Sequence, residues 1–174
     1  ITREGFIRLR TMNRHMAIDE YVVVRCGEVA TDIRLAVRGR QCKSSGAEVT
    51  TAARQVLRAV CSNYGILQIV RSGRILAFQE KPQPQEAKST LASTGIYIIN
   101  PRALIGLGAA EGLDIATDFL PAIMKRGGHL HSYVADFEWV DMGNPKDYPL
   151  APFKALRGEV KTLSPPGDTE PPRI

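Results

Sequence analysis

Residues 64–100 constrain this chain more than any other stretch: YGILQIV, then RSGR, then ILAFQEKP, a polar connector, and STGIYIIN. The three apolar runs are rich in β-branched and aromatic residues. Gly, Pro, Ser and charge separate them, as they separate strands from turns. Gly73 in RSGR can take the positive φ that a tight hairpin requires. The stretch therefore predicts strand, turn, strand, a polar loop over 83–91 and a further strand. Glu80, Lys81 and Pro82 close the second strand. An acid, a base and a rigid turn at a strand end can anchor a small polar ligand: Lys81 would neutralise a phosphate and Glu80 would accept hydrogen bonds from hydroxyls. From composition alone, a salt-linked loop accounts for the same residues.

The rest of the chain has to supply a core around that stretch. Of its 174 residues, 44% are hydrophobic and 24% charged, which fits one globular domain. No apolar run approaches the ~20 residues of a membrane span, and ITREGFIRLR at the start carries no apolar signal core. Cys26, Cys42 and Cys61 are an odd number without metal-ligand spacing, so they read as reduced thiols of a cytoplasmic protein. The net charge of +5 is uneven: residues 1–60 hold 11 basic and 6 acidic side chains, while residues 61–174 hold 12 of each. The basic residues are scattered, with few aromatics among them and no recognition-helix pattern. A basic surface therefore outranks a nucleic-acid-binding arm.

In chain order, YVVV at 21–24 reads as a short buried parallel strand. It ends in Cys26-Gly27-Glu28, an acidic loop at the strand edge where open α/β sheets place ligands. Residues 33–45 read as a helix interrupted by Gly39, and 48–56 as another strand. Pro101 suits the first turn of a short helix over 101–107. Residues 117–126 predict a helix with Phe119, Leu120, Ile123 and Met124 on one face and Gly127 as its stop. Strands follow at 129–135 and 138–142. A helix over 145–156 has Asn144 as its N-cap, with Pro149 and Pro152 arguing against one unbroken segment. Residues 158–174, with four prolines in LSPPGDTEPPRI, read as a disordered tail.

Glu28 and Asp141 each follow an apolar run at a glycine-containing loop. If their strands share a sheet, the carboxylates converge, and two carboxylates plus substrate phosphates are how proteins usually hold Mg²⁺. On spacing alone, two unrelated solvated acids are the simpler reading. Gly65 and Gly95 either let a ligand approach the backbone or mark bulges. His129 and His131 alternate on one strand without a Cys or His partner nearby, a weak metal pattern. GLGAAEG at 106–112 follows a helical segment rather than a strand and is not a nucleotide loop.

Residues 64–157 resemble the sugar-phosphate nucleotidyltransferases, the family of glucose-1-phosphate thymidylyltransferase, mannose-1-phosphate guanylyltransferase and ADP-glucose pyrophosphorylase. The matching pieces are Tyr64-Gly65, FQEKP at 78–82, STGIYIIN at 93–100, DIATDFLP at 114–121 and WVDMGNPKDY at 139–148. Residues 21–63 match in patches. The resemblance implies an α/β fold, a Rossmann-like three-layer α/β/α sandwich of glycosyltransferase A type, incomplete at its N-terminus, over residues 1–157. It implies NTP plus sugar 1-phosphate giving NDP-sugar plus pyrophosphate, with Mg²⁺ and cationic side chains neutralising the phosphorus centre. Carried over by position, Asp141 and Glu28 would hold Mg²⁺, with Glu28 standing where the family has aspartate. Lys81 would bind the sugar phosphate and Glu80 the sugar hydroxyls, and Gly65 with the Thr94-Gly95 backbone would line the sugar pocket.

The family's Gly-rich triphosphate loop, of LAGGxGTRL type, has no counterpart here. Ser93 replaces the usual Asn and Asn144 the usual Thr. Residues 1–20, 37–42 and 57–61 match poorly between well-matched neighbours, as short out-of-frame stretches would; the coding DNA tests that. The expectation is an inactive or incomplete nucleotidyltransferase. The alternative is a catalytically silent sugar-phosphate-binding module. A sheet lacking its first βαβ unit would be marginally stable or self-associating. Sugar and base stay open.

Overall fold

The computed structural model describes residues 21–25, 29–31, 33, 44–104, 114–142 and 149–160. Its hub is the strand of Leu91–Ile99, nine residues that are all buried except the half-buried Gly95. Strands are numbered in chain order: β1 Val22–Arg25, β2 Val29–Thr31, β3 Val49–Gln55, β4 Gly65–Ile69, β5 Ile75–Glu80, β6 Leu91–Ile99, β7 Leu130–Val134 and β8 Trp139–Asp141. On one side of β6, β3 runs antiparallel from Val49↔Ile99 to Gln55↔Leu91. On the other side, β1 pairs near the end of β6 (Val22↔Ile99) and β4 near its start (Ile66↔Ala92), both antiparallel. The β4–β5 hairpin forms one edge, and β7, parallel to β3, forms the other. β2 and β8 make a separate antiparallel ribbon.

Strand alternation splits the apolar side chains between the two faces of this sheet. Val49, Ala53, Leu67, Tyr97 and Ile99 face a core closed by Ile115, Phe119, Leu120 and Ile123. These last four come from a wide helical turn, Ile115–Phe119, that runs directly into helix α1, Leu120–Lys125. Phe119, Leu120 and Ile123 are 0–1% exposed, and each such burial contributes about 1.5–3 kcal/mol. The helix stops where Gly127 takes φ +78°. On the opposite face, Val29 and Ile33 pack on Ala52 and Ile96, with Phe137 and Trp139 against them.

The expected strand–turn–strand–loop–strand order over 64–100 is the one observed. In the hairpin turn Val70 N–H donates to Arg74 O (3.0 Å), Gly73 N–H donates to Val70 O (2.8 Å), and Gly73 has φ +87°. The strands expected at 48–56, 129–135 and 138–142 also form. The helical segment expected at 117–126 begins two residues earlier, because Asp114 caps it.

YVVV is not a buried parallel strand. β1 is antiparallel to β6, with Val22 and Val24 inward and Val23 47% exposed. A run of identical apolar residues hides which face is covered. The segment after Asn100 is a single 3-10 turn, Pro101–Leu104; 105–107 lie outside the described residues. The last helix, α2, is Leu150–Leu156. Pro149 precedes it and Pro152 sits in its first turn, where no intrahelical N–H is needed, so both prolines are tolerated. Asn144 and Pro145, residues 161–174 of the tail expected over 158–174, GLGAAEG, Cys26, Cys42 and most of the helix expected over 33–45 lie outside the described residues, and within the first three tail residues Val160 is buried. Cys61 is a fully buried free thiol in the 3-10 turn Arg58–Asn63, packed with Ile66, Ala87 and Ala92.

Candidate functional site

Four separate pieces of chain meet at one cleft of about 200 Å³. The register Gly65↔Glu80 sets the start of β4 against the end of β5, and Lys81 N–H donates to Tyr64 O (3.1 Å), continuing the ladder one residue past the strand. Lys81 then turns out of line, with φ +45°, the one positive φ among the described non-glycine residues. A left-handed residue with a Cβ costs about 1–2 kcal/mol. This strain aims the side chain at the strand end. Its Nζ lies 4.0 Å from Glu80 Oε1, and the side chain is 62% exposed.

The second piece is a bulge in β6. Pairing jumps from Ala53↔Ser93 to Thr51↔Tyr97, so Thr94, Gly95 and Ile96 stand against Ala52 alone. Gly95 takes φ +73° within it, the conformation that suits glycine in a bulge. Thr94 Oγ1–H donates to Ala52 O (2.9 Å), and Thr51 Oγ1 lies 3.0 Å from Ser93 Oγ and donates to Ile96 O (3.2 Å). With the Thr94 side chain committed inward, the bulge presents backbone to the cleft.

Gly65 lines the cleft and also makes room there for its neighbours. A Cβ there would lie 2.4 Å from Phe78 Cζ and 3.1 Å from Glu80 Oε2. The space belongs to the Phe78 ring and the Glu80 carboxylate, and glycine at 65 lets both stand on the cleft floor.

Asp114, the third piece, accepts hydrogen bonds from the Ala116 and Thr117 N–H groups (2.7 and 3.0 Å), while Asp114 N–H donates to Asp118 Oδ2 (2.8 Å). This reciprocal cap fixes a carboxylate beside Glu80. Burial pushes the Glu80 carboxyl above the ordinary carboxylate range; Lys81 pulls it back and Asp114 pushes it further up.

The fourth piece is β8. Trp139 stacks obliquely on Tyr64, ring centroids 4.9 Å apart, and its buried Nε1–H has no partner among the described residues. Asp141 lines the same cleft. The ribbon register sets Val29 opposite Asp141, next in sequence to Glu28, which lies outside the described residues.

Of the residues singled out from sequence, Gly65, Glu80, Lys81, Thr94, Gly95 and Asp141 are thus brought to one cleft. Asp114, Trp139 and Phe78 line it as well and were not singled out. For Asp114 a signal existed: an acid before an apolar helical run, with a second acid four residues on, reads as a helix start. No group of three or more His, Cys, Asp or Glu that could hold a metal occurs among the described residues. His129 and His131 lie elsewhere.

The Nucleotidyl transferase family model matches residues 8–156. The chain belongs to that family. The curated relatives include a UTP–glucose-1-phosphate uridylyltransferase of Synechocystis, 34% identical over 149 residues, with 86% of this chain and 38% of the relative covered. A glucose-1-phosphate adenylyltransferase of Desulfitobacterium hafniense is 33% identical over 123 residues, covering 67% of this chain and 30% of the relative. The chain therefore spans well under half the length of these relatives. Among solved structures, UDP-glucose pyrophosphorylase from Acinetobacter baumanii superposes with TM-score 0.71 at 18% identity, covering 87% of this chain and 56% of that one. A glucose-1-phosphate thymidylyltransferase from Bacillus anthracis gives 0.66 at 22% identity, covering 82% and 57%. The mixed α/β sheet is that of the sugar nucleotidyltransferases, over part of their chains.

Proposed function

We propose that this cleft is the sugar-phosphate half of a nucleotidyltransferase site, taking glucose 1-phosphate toward an NDP-glucose. One observation carries the reading: residues far apart in sequence, named from chemistry and family pattern, line one cleft beside a strained, outward-turned lysine. Lys81 neutralises the sugar phosphate. Glu80 and the bulge backbone at Thr94 and Gly95 hold the hydroxyls, and the Tyr64–Trp139 pair walls the ring. In the reaction a phosphate oxygen of the sugar phosphate bonds to the α-phosphorus of an NTP in line, and the bond from that phosphorus to the β-phosphate bridge breaks, releasing pyrophosphate. UTP as the nucleotide is supported by the uridylyltransferase relative.

Mg²⁺ fits the donor set. It needs only one or two carboxylates when substrate phosphates and waters complete its shell, and Asp141 brings one to the cleft, with Glu28 proposed as the second. When bound, the ion supplies positive charge to the reacting phosphates.

A second reading, a sugar-phosphate-binding module without turnover, is favoured by the charge of the cleft. Among its described lining residues Lys81 is the one cation, too little to hold a triphosphate. Calorimetric titration with glucose 1-phosphate, then with UTP and Mg²⁺, separates the readings. Sugar-phosphate binding that is lost in Lys81→Ala supports both, and pyrophosphate release selects the first. Equal titration of wild type and Lys81→Ala ends both.

A further inference from the structure

Among the described residues that line the cleft, one cation stands against three carboxylates: Lys81 against Glu80, Asp114 and Asp141. The carboxylates are not held alike. Asp114 Oδ1 accepts from the Ala116 and Thr117 N–H groups at 2.7 and 3.0 Å, so two backbone donors satisfy it. Glu80 has no such support. Nothing among the described residues donates a hydrogen bond to it, and its ion-pair partner is Lys81, with Nζ 4.0 Å from Oε1. Glu80 is also the more buried of the pair, 34% exposed against 62% for the lysine. The other titratable groups lining the cleft are the Tyr64 and Tyr97 phenols, a group that carries no charge near neutral pH.

A sugar phosphate sets Glu80 and the phosphate in competition for the same ammonium. The phosphate dianion carries twice the charge of the carboxylate and is the stronger partner. With Lys81 turned to the phosphate, Glu80 is left half-buried, without a donor, near a doubly charged anion and the Asp114 carboxylate. Burial and Asp114 already hold the Glu80 carboxyl above its ordinary range, and Lys81 is the group that pulls it down. A phosphate that takes up the lysine charge removes that pull.

We propose that glucose 1-phosphate enters the cleft together with one proton from solvent, which Glu80 takes up, so that its carboxyl donates O–H to one sugar oxygen and accepts with its other oxygen. The inference rests on the sugar-phosphate reading of the cleft. The proton replaces the positive charge that Lys81 turns to the phosphate, and the sugar meets a donor where an ionised carboxylate can only accept. The bound state holds more protons than the free one, so affinity falls as pH rises. The fall is up to about tenfold per pH unit between the Glu80 pKa of the free chain and that of the complex. The second ionisation of the ligand, near about pH 6, acts in the opposite direction, because Lys81 favours the dianion.

The test compares the full chain with Glu80→Gln, whose carboxamide, like the protonated acid, offers both a donor and an acceptor and does not titrate. Both are titrated with glucose 1-phosphate by calorimetry from pH 5.5 to 8.5, without divalent cations, in pairs of buffers that differ in ionisation enthalpy. The ligand's ionisation is common to both and drops out of the ratio of affinities. Wild type should take up more protons on binding than the variant, by up to one per site, and the ratio should move in the variant's favour by about tenfold or more across the range. Carboxyl ¹³C titration of wild type reads the same event without a substitution: the Glu80 pKa should rise when glucose 1-phosphate is bound. A Glu80 pKa that stays or falls on binding, equal proton counts, a ratio flat across pH, or a glutamine variant that melts as a folded protein yet does not bind each overturns the proposal and leaves the sugar-phosphate reading standing. Wild type that does not bind, or that binds no better than Lys81→Ala, ends that reading and this inference with it.

Discussion

Lys81 is asked to bind a phosphate from a backbone conformation that lysine resists, and two substitutions at the same position separate those demands. Lys81→Ala removes the charge and keeps the Cβ; Lys81→Gly removes both. At φ +45° the left-handed penalty is about 1–2 kcal/mol. Glycine escapes it but gives back about 0.4–1 kcal/mol through the extra freedom of its unfolded chain. The glycine variant should therefore be about 0.5–1 kcal/mol more stable than the alanine variant. The Lys81–Glu80 pair, at 4.0 Å with a largely exposed lysine, is absent from both variants and cancels. Urea unfolding reads the difference as a midpoint shift of a few tenths molar, given slopes of about 1–3 kcal/mol/M. Both variants should lose glucose 1-phosphate binding equally. An alanine variant as stable as the glycine one would mean that residue 81 carries no strain, and the argument that the fold spends stability to aim this lysine would fail.

Three further outcomes follow from the cleft. Gly65→Ala pushes into the Phe78 ring at 2.4 Å; it should cost about 1–3 kcal/mol in thermal unfolding, and a stabilised variant would contradict the packing. Asp114→Ala removes the cap on the Ala116 and Thr117 N–H groups, costing about 0.5–2 kcal/mol. It should also lower the Glu80 pKa, since the Asp114 charge raises it; carboxyl ¹³C titration checks that sign. Glu80→Gln tests the same shift through stability. The folded-state pKa lies above the ordinary 4.5, so the folded protein binds more protons within that window and stability falls as pH rises through it. The glutamine variant should gain on wild type above the window and show no gain below pH 4.5, which urea melts across pH will read.

The hairpin and β6 were legible because their alternation, Gly73 and the FQEKP stop all point the same way. β1 was not: in VVVR every apolar position looks equivalent, and the face left open is decided by how β1 docks on β6. The cleft was half legible. Glu80, Lys81 and Asp141 carry charge at strand ends, where chemistry is sought. Phe78 and Trp139 read as ordinary strand residues, and their place in the site emerges only when the Gly65↔Glu80 register stands the ring on the glycine and β8 brings the indole to Tyr64. A bulge was one of two readings open for Gly95, and the mismatch between β3 and β6, which neither strand shows alone, decides for it.

The sugar side and the acid side of the cleft rest on unequal foundations. Gly65, Glu80, Thr94 and Gly95 belong to the six-stranded sheet. Asp141 belongs to a ribbon with three residues on each strand, held to the sheet through Val29 and Ile33 on Ala52 and Ile96 and through Trp139 against Tyr64, Ile66 and Ala92. A two-stranded ribbon has little stability of its own, so these contacts decide where Asp141 stands. Val29→Ala, which removes a side chain 4% exposed, costs about 2 kcal/mol by lost burial and residual cavity. The cost should fall on the ribbon: amide hydrogen exchange at 139–141 should quicken by about tenfold or more while 91–99 stays at the global rate. Equal acceleration in both strands would show that ribbon and sheet open together, and the acid side would then be as firmly founded as the sugar side.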